Sequence, residues 1–280
     1  MRIHPEKIGI IAGSGQFPLL FIMAAKAAGR IVAVVAHKGE TIPEVAAAAD
    51  MTCWVKLGQL GKIIKFFHNE GVGEAVFLGA ITKTQIFKDV FPDLKGLTLW
   101  NKIDTRQDDA ILRAVASVLE QENIKVLEST FYLRHLLFPG GVLTKKKPNQ
   151  EQRLDIEFGW RNARAIGQLD IGQCVVVRNL SVLAVEAIEG TDATILRGGG
   201  LAREKAVVVK VKKPSQDFRF DLPATGLKTI ETLASVKGAV LAVEAGQSLL
   251  FDREIMVAAA DKAGIVVVGV TENPDGTLVF

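Results

Sequence analysis

At 280 residues, 49% hydrophobic and 23% charged, the chain has room for one large or two ordinary domains and enough apolar content to bury a core, which excludes a disordered polypeptide. Its 34 basic and 31 acidic residues leave a net charge of +3, too mild a balance to point to nucleic acid as a partner. No apolar run approaches the roughly 18 residues of a membrane span, and the start lacks the long apolar region and cleavage site of a secretory signal, so a cytoplasmic protein is expected.

Residues 8–12 read as a buried strand, Gly13 to Phe17 as a tight turn, and residues 18–28 as a helix with Pro18 in its first turn and Gly29 at its end. A second buried strand at 31–36 completes a βαβ unit of the doubly wound type. Backbone N–H groups at such a turn can hold phosphate, which makes Gly13, Ser14 and Gly15 candidates; a turn without a ligand is the alternative. The dinucleotide fingerprint is incomplete, since Pro18 replaces the third glycine and the second strand runs into His37-Lys38-Gly39 without the expected acid. NAD is therefore disfavoured.

Strands at 53–55 and 75–79 flank a helix containing Ile63, Ile64, Phe66 and Phe67. Gly79, Ala80, Thr82 and Lys83 then form a second wall at the carboxyl ends of the strands, where Lys83 reads equally as a phosphate contact or a surface lysine. Asp108 and Asp109 open an amphipathic helix to Glu122, with capping the better explanation for the pair, and a strand follows at 125–127. Cys53 and Cys174 both lie in apolar runs, as buried thiols of a reducing compartment do.

From 134 to 150 the text changes to Phe138-Pro139-Gly140-Gly141 and Lys145-Lys146-Lys147-Pro148-Asn149, which reads as a connection with a boundary near Leu136. The expected architecture is α/β in two domains: an N-terminal Rossmann-like doubly wound domain at 1–135 and a C-terminal catalytic α/β domain with a mixed sheet at 136–280. In the second, Leu154, Phe158, Ala165 and Leu169 keep helical spacing, and residues 174–177 and 182–185 form a hairpin. Glu189, Gly190, Thr191 and Asp192 sit where a helix begins, offering a hydroxyl, carboxylates and N–H groups, with helix capping as the alternative.

The strand at 207–209 stops at Lys210, and the loop after it carries Lys212, Lys213, Gln216, Asp217, Arg219 and Asp221 before a helix from Leu227 that closes at Gly238. Cations and carboxylates packed between a strand end and a helix start suit a site, although a solvated loop is the alternative. Strands at 239–243 and 265–270, the run Leu249-Leu250-Phe251 and a helix at 253–263 finish the chain. P-loop, GxSxG and HExxH motifs are absent, and His4, His37, His68 and His135 all precede the second domain, so a hydrolase would need carboxylates for metal or base chemistry and Lys or Arg for the anion.

The text Ile8-Gly9-Ile10-Ile11-Ala12-Gly13-Ser14-Gly15 with Pro18, Asp108 to Arg113 (DDAILR), Leu169 to Gln173 (LDIGQ), Val182 to Asp192 (VLAVEAIEGTD), Lys213 to Asp217 (KPSQD), Asp221-Leu222-Pro223 and Val243 to Gly246 (VEAG) resembles the UDP-2,3-diacylglucosamine pyrophosphatases of the LpxI type, in order and over nearly the whole chain. Ala224, where a bulkier residue is frequent, is a small departure. The resemblance implies a two-domain α/β enzyme that cleaves the pyrophosphate of UDP-2,3-diacylglucosamine in lipid A synthesis, with water attacking the α-phosphorus. It implies dependence on Mg²⁺ or another divalent cation and places the essential aspartate at Asp221.

On this reading Asp221, with Asp217 or Asp192, holds the metal or orients the water, and Lys210, Lys213 and Arg219 offset phosphate charge. Glu189, Gly190, Thr191 and Gln216 join the substrate contacts, while the uridine half lies near Gly13 to Phe17 and Gly79 to Lys83, with the reaction between the domains. The partners implied are the lipid-linked nucleotide sugar and, transiently, the inner face of the cytoplasmic membrane; the oligomeric state, a homodimer included, stays open. The competing readings are a non-catalytic nucleotide-sugar binding or regulatory module and, from fold analogy alone, an NAD-dependent oxidoreductase.

Overall fold

The computed structural model describes residues 6–81, 92–100, 108–220 and 222–280. The chain divides into two compact units: Met1–Arg134 with Asp217–Asp221, and His135–Gln216 with Leu222–Phe280.

In the first unit β1 (Lys7–Ala12), β2 (Ile31–His37), β3 (Met51–Val55), β4 (Glu74–Leu78) and β5 (Lys125–Val126) form an all-parallel sheet in the order β3-β2-β1-β4-β5. Its central strands are unbroken aliphatic runs because parallel sheets are covered on both faces. The covering helices are α1 (Phe17–Ala27), α2 (Pro43–Ala48), α3 (Leu60–Glu70), α4 (Leu94–Trp100) and α5 (Asp108–Gln121). Pro18 occupies the first turn of α1, where its missing N–H has no intrahelical partner to lose. In α3 the spacing of Leu60, Ile63, Ile64 and Phe67 makes one buried stripe, which joins Ile11, Val35 and Phe77 in the core. β1 lies between β2 and β4, so the loops leaving β1 and β4 start from neighbouring strand ends, the position where open parallel sheets collect ligands.

The second unit is built on a mixed sheet. β7 (Cys174–Arg178), β8 (Ser181–Val185), β9 (Val207–Lys210), β11 (Val240–Glu244), β13 (Val266–Glu272) and β14 (Leu278–Val279) lie in the order β14-β13-β11-β9-β7-β8. β9, β11 and β13 run parallel, while β7, β8 and β14 pair antiparallel with their neighbours. β10 (Ala224–Thr225) and β12 (Leu249–Leu250) make a separate parallel pair.

Alternation along the strands sorts the side chains of this sheet onto two faces. Val175, Val177, Val207 and Val209 pack with Ile156 and Trp160 of α6 (Gln150–Gln168). Val176, Val208 and Leu241 pack with Ile195 of α7 (Thr191–Ala202), Ile230 of α8 (Leu227–Ser235) and Met256 of α9 (Arg253–Ala263). Asn149 starts α6 with a capping box, its side chain accepting from the N–H of Gln152 while that of Gln152 returns the bond. The β7–β8 turn holds Asn179 and Leu180 at positive φ, 50° and 56°, and the buried carboxylate of Asp155 accepts both of their N–H groups, at 3.1 and 2.7 Å.

One expectation needs correction here. Within the stretch from 134 to 150, residues 138–144 join the second unit's core, so that part is not a plain connection. Phe138 is fully buried, and β6 (Gly141–Val142) adds an antiparallel edge to β13 through Val142 and Val268. Leu143 N–H donates to Val267 O at 2.9 Å, and Thr144 Oγ1 accepts from Val267 N–H at 3.0 Å. Prolines and glycines permit such a short edge strand as readily as a linker.

Candidate functional site

At the carboxyl edge of the first sheet the two glycine loops are stitched to each other. Gly13 N–H donates to Leu78 O at 2.8 Å, Ser14 N–H to Ala80 O at 2.8 Å, and Ala80 N–H back to Ser14 O at 3.3 Å, while Ser14 Oγ also reaches Ala80 O at 2.9 Å. A Cβ at Gly13 would sit 2.4 Å from Ala80 O, and one at Gly79, whose φ is 84°, would sit 2.2 Å from Ser14 O. The N–H groups of Gly13 and Ser14, expected on phosphate, both donate to the β4 exit in this structure. Gly15, at φ 88°, has open space where its side chain would be.

Behind this edge Thr41 Oγ1 donates to Ala12 O at 2.7 Å, and Nδ1 of the buried His37 reaches the same carbonyl at 2.9 Å. Burial holds the His37 imidazole below its ordinary pKa, against that hydrogen bond. Thr82 and Lys83 lie outside the described residues, as does Asp221.

Residues 217–220 belong to the first unit. Arg219 Nε donates to both oxygens of Asp217 at 3.1 Å, Nη2 to Oδ2 at 2.8 Å, and Nη1 to Glu120 Oε1 at 3.0 Å. Burial disfavours the charge on Asp217, but Arg219 outweighs it and holds the carboxyl below the usual range; the Asp217 hydrogen bonds in turn raise the arginine. Phe220 packs edge-on against Phe77 at 5.7 Å, and Ser129 donates from N–H and Oγ to Phe218 O at 3.1 and 2.9 Å. Arg219, expected on phosphate, and Asp217, expected on the metal, are thus paired with each other in this structure.

In the second unit Lys210 ends β9 with its side chain buried and Nζ donating to Ala224 O at 2.8 Å. Lys210 pairs in register with Cys174, whose thiol is pushed up by burial, whereas Cys53 is half-buried. Lys213 Nζ lies 2.7 Å from Asp170 Oδ1, and the buried Gln216 accepts the N–H of Lys213 at 2.9 Å.

Glu189, Gly190, Thr191 and Asp192 do come together, at the start of α7. Glu189 Oε1 accepts from Arg197 at 2.6 Å and Oε2 from Ala187 N–H at 3.1 Å, while Asp192 Oδ2 lies 3.1 Å from Lys228 Nζ. The hydroxyl of Thr191 donates to the buried Glu186 at 2.8 Å.

Sequence reasoning gave Glu186 and Glu244 no role, although each is a lone carboxylate closing an apolar strand run. Glu244 accepts Arg164 Nη2 at 2.8 Å and the N–H of Lys212 at 2.7 Å. Glu272 accepts Trp160 Nε1–H at 3.0 Å and Arg164 at 3.5 Å. Arg164, Glu244 and Glu272 border an open cleft of about 500 Å³ at the carboxyl ends of β11 and β13, lined also by Gln247 and Asn273.

Among the described residues no group of three His, Cys, Asp or Glu side chains is placed to hold a metal ion. Asp217 is paired with Arg219 and Asp192 with Lys228. No helix among the described residues is long and apolar enough to cross a membrane.

The sequence matches the LpxI N-terminal domain over residues 7–136 and the LpxI C-terminal domain over residues 139–268. A relative from Caulobacter vibrioides, the UDP-2,3-diacylglucosamine pyrophosphatase LpxI, is 36% identical over 278 residues, which cover 95% of this chain and 98% of that protein. Among solved structures, the ADP complex of the N5-carboxyaminoimidazole ribonucleotide synthetase purK is 17% identical, with a TM-score of 0.29 over 62% of this chain and 33% of that one. Phosphoribosylglycinamide synthetase from Anaerococcus prevotii is 10% identical, with a TM-score of 0.28 over 66% of this chain and 40% of that one. Structural likenesses this slight carry no argument.

Proposed function

The chain belongs to the LpxI family, and from that premise we propose that it hydrolyses the pyrophosphate bond of UDP-2,3-diacylglucosamine in lipid A synthesis. In this reading water attacks the α-phosphorus and releases UMP and 2,3-diacylglucosamine 1-phosphate. The observation that carries it is the end-to-end match to the Caulobacter vibrioides pyrophosphatase, 36% identical over 95% of the chain. Substrate contact with the inner face of the cytoplasmic membrane follows from the acyl chains. The doubly wound reading of the first unit belongs to the same proposal, supported by its parallel strand order.

Asp221 is the residue on which the family resemblance places the essential carboxylate. Dependence on Mg²⁺ is proposed from that resemblance alone. Asp217 and Asp192 are each paired with a cation, and no step is assigned through the ion.

The test is UMP release from UDP-2,3-diacylglucosamine by wild type and Asp221→Ala, each with Mg²⁺ and with EDTA. We expect release that EDTA abolishes and that the variant loses by about 100-fold or more, the scale of a transition-state electrostatic contact. Folded wild type that binds the substrate and releases no UMP with any of several divalent ions would move the chain to the non-catalytic binding reading.

A further inference from the structure

Glu186 leaves β8 with only 6% of its surface exposed. Its backbone is tightly held: its N–H donates to Cys174 O at 2.9 Å, and a Cβ at Gly172 would fall 2.0 Å from its carbonyl oxygen. Oε1 accepts the Thr191 hydroxyl at 2.8 Å, whereas the buried Oε2 has no hydrogen-bond partner among the described residues. A buried carboxylate with an unmet oxygen costs free energy that a purely supporting residue would avoid.

Helix capping does not account for it. α7 is 12 residues long and begins after Gly190 with no side chain capping its first N–H groups. A carboxylate placed there to cap would take those donors, yet Glu186 takes a side-chain hydroxyl instead.

A threonine hydroxyl has one proton. With that proton on Glu186, the half-buried Thr191 has only lone pairs left to offer, so it accepts from a donor and cannot donate to a phosphate oxygen. In phosphoanhydride hydrolysis the phosphate oxygens are acceptors, and the attacking water is the donor that must lose a proton.

We infer that Thr191 receives the attacking water and that Glu186 is the positioning residue behind it, an inference that rests on the hydrolase reading above. The water oxygen forms the new P–O bond while the P–O bond to the leaving phosphate breaks. One water proton passes to Thr191 Oγ1 as the hydroxyl proton passes to Glu186, which ends as the neutral acid beside two phosphate products.

The test measures kcat and KM of the full chain on UDP-2,3-diacylglucosamine for wild type, Glu186→Gln, Thr191→Val, Thr191→Ser and the Gln/Val double variant, with an unfolding curve for each. Gln keeps the acceptor for Thr191 but not the basicity. Glu186→Gln and Thr191→Val should each lower kcat by about 100-fold or more with KM within about threefold, as loss of acid–base assistance does. Thr191→Ser should keep most of the rate, and the double variant should be no slower than the worse single one.

If Glu186→Gln does not fold, the Val/Ser pair at the half-buried Thr191 decides alone. Wild-type turnover matched within twofold by Glu186→Gln or Thr191→Val, or a change confined to KM, overturns the inference and leaves the hydrolase reading standing. A wild type that binds substrate without hydrolysis removes both.

Discussion

Replacing three glycines one at a time separates the two physical demands made by the stitched loops of the first unit. Gly13 is not at positive φ, but its Cβ would lie 2.4 Å from Ala80 O, so Gly13→Ala tests contact alone. The cost expected is about 1–3 kcal/mol, the range for forcing an extra methyl into a packed site. Gly15 is the converse, with φ 88° and nothing within 4 Å, so Gly15→Ala should cost only the left-handed backbone, about 1–2 kcal/mol. Gly79 combines φ 84° with an approach of 2.2 Å to Ser14 O, and Gly79→Ala should cost about 2–5 kcal/mol. Because Gly13 and Gly79 face the same pair of loops, their double variant should fall short of the sum. A chain of two units need not unfold in one step, so the assay is urea-dependent hydrogen exchange read in peptides from β1 and β4. Gly13→Ala within about 0.5 kcal/mol of wild type would refute the stitching argument.

Two further outcomes follow from buried side chains. His37 is held neutral by burial, its pKa below the unfolded value, so its contribution is present above about pH 6.5 and is lost as pH falls toward the folded value. The urea midpoint of the first unit should therefore drop between pH 7.5 and pH 5, and His37→Gln should flatten that drop; an equal slope in the variant would contradict the assignment. Asp155→Ala removes the acceptor of two N–H groups at the β7–β8 turn and should cost about 2–4 kcal/mol in the second unit's hydrogen-exchange stability, with a loss below about 0.5 kcal/mol counting against it.

Much of the fold is legible in the sequence because buried parallel strands write themselves as aliphatic runs and their helices as stripes. The helix at 253–263 and the hairpin of β7 and β8 lie where the residue pattern puts them. Elements fixed by distant partners are not legible. β6 is two residues long and exists because β13 lies beside it, with Gly141 opposite Gly269. Nothing near Gly141 announces that pairing, and Pro139 and Gly140 suggest the opposite. The site is half legible for a related reason. The composition of 210–221 marks a charged loop, but only geometry tells which charges face inward, as Lys210 does, and which cancel, as Asp217 and Arg219 do.

That distinction separates fastening from chemistry. Asp217, Arg219 and Glu120 together carry one net negative charge and fasten residues 217–220 within the first unit. Lys213 with Asp170 is neutral, and Arg164 between Glu244 and Glu272 is again net negative. Each of these clusters contains the residue types an anion site uses, yet each has already met its own electrostatic demand. Glu186 differs in kind. Its carboxyl group is buried, one oxygen has no hydrogen-bond partner among the described residues, and the other fixes the direction of a hydroxyl on a half-buried residue. A group whose bonding capacity is left over in the resting protein is where a reacting molecule can still make a difference, and of the buried polar side chains described with an unmet atom (Gln173, Glu186, Thr225 and Ser248) only Glu186, within the VLAVEAIEGTD text, is ionisable.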